Sequence, residues 1–120
     1  MRETRNWTWQ IFTAVVILVF LSIHMIVMHL DDIVGWFNPN GGAALDWANV
    51  LERSKAIFFV VTYIVLLAAT LYHALYGIRN ILFELHPPAG VEKAITVVFW
   101  LAGLGLFAIG IYGAVALRLA

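Results

Sequence analysis

Leu71-Tyr72-His73-Ala74-Leu75-Tyr76-Gly77-Ile78-Arg79 sets an imidazole inside an apolar run, a glycine one turn later and an arginine where the run nears its end. Its neighbours on both sides are apolar, so the segment from about Ala56 to Phe83 reads as one helix. A hydrocarbon core of ~30 Å needs only about 20 residues at 1.5 Å each. The segment is therefore long enough to cross a membrane and to emerge from it. Two more segments of this kind flank it, from about Gln10 to Leu30 and from about Val91 to Leu117. The expected fold is all-α and integral to a membrane: one domain over 1-120 with spans at about 10-30, 56-83 and 91-117.

Composition agrees. The 120 residues are 63% hydrophobic and 12% charged, against roughly 45–50% and 25% in soluble domains. The formal net charge is zero, which gives no electrostatic footprint for nucleic acid. There is no cysteine, so the chain brings no disulfide and no thiolate ligand. Four histidines remain as soft ligands. The first apolar run, Ile11 to Leu30, exceeds the 7–15 residue core of a signal peptide and reads as a retained span.

Residues 1–9 read as a polar lead, with Trp7 and Trp9 at the lipid boundary. Asp31-Asp32 ends the first span, and Asn38-Pro39-Asn40-Gly41-Gly42 is a dense turn signal. Leu45 to Glu52 reads as a short interfacial helix. Pro87-Pro88 stops the second span, and Glu92 suits the first turn of the third, where the helix dipole favours an acid. The third span is rich in Ala and Gly, which lets helix backbones approach closely in lipid. Basic residues near the span ends are Arg2, Arg5, Arg79 and Lys93 on one side, and Arg53, Lys55 and Arg118 on the other. The excess favours a cytoplasmic N-terminus.

His73 shares its helical face with Leu66, Ala69, Thr70, Tyr76, Gly77 and Asn80. Ala69 and Gly77 leave room for a flat macrocycle, and the second ring nitrogen reaches the Ala69 carbonyl. Two readings stand: a haem-iron ligand, or a histidine hydrogen-bonded between helices. Arg79, near the inner boundary, suits a haem propionate or a quinone oxygen. On the first span His24 and His29 point about 140° apart, so they do not share an iron. His24 lies among apolar side chains and is the preferred ligand. His29 stands beside Asp31 and Asp32, where water satisfies it. His24 falls in the outer half of the membrane and His73 in the inner half, so each iron needs its second histidine from another chain. His86, in Leu85-His86-Pro87-Pro88, reads as a solvent or interface residue.

Tyr72-His73-Ala74-Leu75-Tyr76-Gly77-Ile78-Arg79 resembles the H-A-x-Y-G and Y-H-x-x-x-G-I-R motifs of the cytochrome b membrane-anchor subunits of succinate:quinone oxidoreductase and fumarate reductase. Phe20-Leu21-Ser22-Ile23-His24-Met25 resembles the span-one F-L-x-x-H-L signature of the dihaem members. The resemblance implies that the three helices form half of a two-subunit helical bundle. It implies His73 and His24 as axial ligands of two b haems shared with a second anchor subunit, with Gly77, Arg79 and His29 as further candidate cofactor-binding residues. It also implies an iron–sulfur subunit, a flavoprotein subunit, a quinone substrate and a bacterial or archaeal cytoplasmic membrane. The chain departs from the family at Asn80, where histidine is frequent, and at Glu84, where aspartate is frequent. Ser22 lies too deep to match the family's quinone serine. Two alternatives stay open, a haem-free quinone-binding anchor and a small subunit of an unrelated membrane cytochrome b. A succinate site is not expected in this chain.

Overall fold

A computed structural model describes residues 2–30 and 41–120. Helix α1 spans Arg2–Met25 and runs into a π-helical turn, Ile26–Leu30. Helix α2 spans Trp47–Lys55, α3 Ile57–Phe83 and α4 Ala89–Leu119. Three stretches are long and apolar enough to cross a membrane: Glu3–His29, Ile57–Phe83 and Ala89–Leu119. The all-α expectation holds, and the three expected spans fall on these helices. The acidic pair Asp31-Asp32 and the first part of the turn signal, residues 38–40, lie outside the described residues.

The boundaries differ in instructive ways. Helix α1 takes in the expected polar lead, because Arg, Glu and Thr are compatible with helix and Glu3 stands in its first turn, where the dipole favours an acid. Thr8 Oγ1 there donates to the Thr4 carbonyl at 2.8 Å. Helix α2 is shifted C-terminally from the expected Leu45–Glu52. Its Asn49 side chain donates to the carbonyls of Gly41, at 2.8 Å, and Ala43, at 3.0 Å. Both Gly41 and Gly42 hold positive φ, 69° and 74°, a region that glycine enters without steric cost. Between α2 and α3 only Ala56 is extended (φ −76°, ψ 125°), so one residue turns the chain from the α2 direction into the span.

Helix α3 is central. It packs on α1 along one side and on α4 along the other, and among the described residues α1 and α4 share no contact. The α3–α4 seam is set by small residues. A Cβ on Gly110 would collide with Leu67 Cδ2, and one on Gly103 would lie 3.0 Å from Leu75 Cδ1. Close packing of span three against a neighbouring helix is thus met within the chain at these two glycines.

At the far end from the N-terminus, α2 closes the bundle. Ser54 Oγ reaches the Leu117 carbonyl at 3.2 Å, and Arg118 donates to the Lys55 carbonyl at 2.7 Å. Arg53 is buried there and donates to the Ala44 carbonyl. The long axis of 56 Å exceeds the ~30 Å hydrocarbon core, so the molecule is longer than the core it crosses.

Candidate functional site

The polar atoms of the α1–α3 seam gather at His73. Its Nδ1 lies 3.2 Å from the Gln10 carbonyl oxygen and 3.3 Å from Thr13 Oγ1. The Thr13 hydroxyl itself donates to the Gln10 carbonyl at 2.9 Å. A carbonyl only accepts, so this geometry is satisfied when Nδ1 carries the proton. Nε2 then keeps its lone pair, and it has no hydrogen-bond partner among the described residues. The Gln10 side chain completes the link, its Nε2 donating to the His73 carbonyl at 3.1 Å.

Two expectations are corrected here. The acceptor that orients His73 is the Gln10 carbonyl of α1, not the Ala69 carbonyl one turn back. The niche beside Gly77 faces α1 as well: a Cβ there would meet Gln10 Nε2 at 3.4 Å, and Ala69 is buried. Gly77 thus admits a carboxamide from α1, and the space at these two small residues is taken up by the helix seam. Gln10 and Thr13 were not singled out in the sequence. They lie three residues apart on one face of α1, and Thr13 is a hydroxyl inside an apolar run, the one signal available.

His24 occupies the other end of the same seam. Its ring meets Tyr63 of α3 edge-on, centroids 5.4 Å apart and planes at 84°. Its Nδ1 is buried with no partner. The Tyr63 hydroxyl in turn faces the guanidinium of Arg53. Thr13 touches His73, so the separation of Thr13 and His24 along α1 measures the depth between the two imidazoles, about 16 Å at 1.5 Å per residue. They sit at two levels and do not converge. Among the described residues no three metal-ligating side chains come together. His29 lies in the π-helical turn and is exposed. His86 is exposed in the loop after α3 with φ 53°.

Arg79 belongs to another face. Six residues after His73 it is rotated by about 120°, and it addresses α4. Its Nε donates to Thr96 Oγ1 at 3.0 Å, and its guanidinium lies 4.1 Å from the Phe83 ring centroid. Below it, between α3 and α4, opens a groove of about 490 Å³ lined by Tyr72, Tyr76, Trp100 and Phe107 among others, with Arg5 and Asn6 of α1 at its mouth. Tyr72 and Tyr76 stack there, centroids 5.6 Å apart, and the Tyr72 hydroxyl donates to the Asn6 carbonyl at 3.3 Å.

The fold defines a class, the small all-helical integral membrane proteins, with three helices long and apolar enough to cross a membrane. The chain belongs to the family of succinate dehydrogenase/fumarate reductase transmembrane subunits, whose model matches residues 3–111. It is 28% identical over 110 residues to the succinate dehydrogenase hydrophobic membrane anchor subunit of Archaeoglobus fulgidus, covering 92% of this chain and 86% of that one. No solved structure matches it. The chain is accordingly an integral membrane anchor subunit of this family.

Proposed function

We propose that this anchor holds two b haems together with a second anchor subunit and helps carry electrons from an iron–sulfur subunit to quinone. The observation that carries the reading is the geometry at His73. Metal-ligating histidines characteristically donate their other ring N–H to a carbonyl or carboxylate, which fixes tautomer and ring orientation and raises ligand basicity. The Gln10 carbonyl stands where that acceptor is needed, 3.2 Å from Nδ1, and leaves Nε2 as the ligating atom. His24, with its Nδ1 buried and unpartnered, fits a second ligand position. An unpartnered buried nitrogen costs about 1–3 kcal/mol, a cost that metal ligation at that nitrogen would offset.

A haem closed by two histidines transfers electrons and offers no open position to oxygen. What this chain supplies is position. The α1–α3 seam holds His73 by its Nδ1 and sets His24 about 16 Å away along α1. One histidine per level from this chain would leave the other iron ligand at each level to the partner anchor. Succinate oxidation and the first electron steps belong to a flavoprotein and the iron–sulfur subunit, docked on the cytoplasmic side where the N-terminus and the α3–α4 loop emerge. The setting is a bacterial or archaeal cytoplasmic membrane. Arg79 faces the α3–α4 groove and is not given a haem contact in this reading.

The test is a pair of variants in the assembled complex, His73→Ala and His24→Ala. Each is expected to remove one b-type haem from the reduced-minus-oxidised spectrum and leave the other. A His73→Ala complex with its full haem content would remove the basis of the assignment.

A further inference from the structure

The groove between α3 and α4 is absorbed by none of this. Along α4 it runs from Thr96 to Phe107, about 16 Å, or one leaflet of a ~30 Å hydrocarbon core. One end is cationic and the other apolar. Arg5 and Arg79 stand at the mouth, both within electrostatic reach of the Tyr72 hydroxyl. Ala68, Leu104 and Phe107 line the deep end. Arg79 is fixed by Thr96 and the Phe83 ring, yet neither arginine meets a carboxylate among the described residues, where Lys55–Glu52 is the one ion pair.

The occupant follows from charge and length. No histidine lines the groove, so it offers no axial ligand to a haem. Glu3 and Glu84 border Arg79 on the adjoining cavity without closing an ion pair on it, and a neutral quinone would bring no counter-charge to the mouth. An anionic headgroup answers both, and a hydrocarbon chain of one leaflet fills the rest. We propose that this groove binds an anionic glycerophospholipid, its phosphate between Arg5 and Arg79 and one chain lying along α4 toward Phe107. The site stands independently of haem binding.

The test uses the purified complex in nanodiscs containing equal phosphatidylglycerol and phosphatidylcholine with the same acyl chains, the retained lipid being read by native mass spectrometry. Two juxtaposed cations predict a preference for phosphatidylglycerol of roughly tenfold or more. In the double variant Arg5→Gln/Arg79→Gln the preference falls to about onefold. Ala68→Trp, which fills the apolar end without touching a charge, loses the retained lipid and decides the matter where the double variant does not assemble. Equal retention of the two lipids by the wild type, retention of phosphatidylglycerol undiminished in Ala68→Trp, or its displacement by a short-chain neutral quinone would each overturn the proposal.

Discussion

His73 and Gln10 meet because a small residue lets them. The Gln10 carboxamide enters beside Gly77, where a Cβ would stand 3.4 Å from Nε2, an ordinary contact. Gly77→Ala is therefore expected to be neutral or mildly stabilising, since alanine gains up to ~1 kcal/mol of helix propensity over glycine. Gly77→Leu must push Gln10 out, and it is expected to lower stability by about 1–3 kcal/mol, read as a lower thermal midpoint in detergent together with a loss of haem. Thr13 is buried and donates to the same carbonyl that orients His73. Thr13→Val keeps the shape and deletes the hydroxyl, a loss of about 1 kcal/mol visible in the same melt, with haem retained. The histidines were legible in the sequence because an ionisable group in an apolar run is conspicuous. Their partners were not: Gln10 looked like the start of a span, and the residue it serves lies in a helix far along the chain.

Among the elements, the three spans were legible because apolar runs of this length have few other uses. Their ends were less so. The lead of α1 reads as polar, yet nothing in Arg2 to Trp9 breaks a helix, and helix continues where no proline or glycine stops it. The π-helical turn at Ile26–Leu30 has no signature in the residues Ile-Val-Met-His-Leu, and it re-aims His29 relative to an ideal α-helix. The small residues of α4 were legible as packing residues, but not which of them pack. Gly110 and Gly103 face α3, whereas a Cβ on Gly105 or Gly113 meets nothing within 4 Å. Gly110→Leu is expected to separate α3 from α4 at Leu67, lowering stability by about 1–3 kcal/mol in thermal denaturation and widening the groove that ends at Phe107.

At the scale of the whole molecule the chain is incomplete for the role proposed. Its two imidazoles face different levels of one seam, and an iron bound at either level would need a ligand from another chain, since among the described residues no metal-ligating side chains cluster there. Spacing and topology raised this expectation; the structure places both imidazoles on the α1–α3 seam and His73 Nδ1 against the Gln10 carbonyl. Arg79 lies against Thr96 and the Phe83 ring, a face that its position near the membrane boundary did not indicate. The most direct measurement is the number of b-type haems per flavin in the purified wild-type complex, from a reduced-minus-oxidised spectrum. About two is the predicted result, one for His73 and one for His24, each closed by the partner anchor. A complex active with quinone and devoid of haem would contradict the account and leave His73 as a hydrogen-bonded pin between α1 and α3.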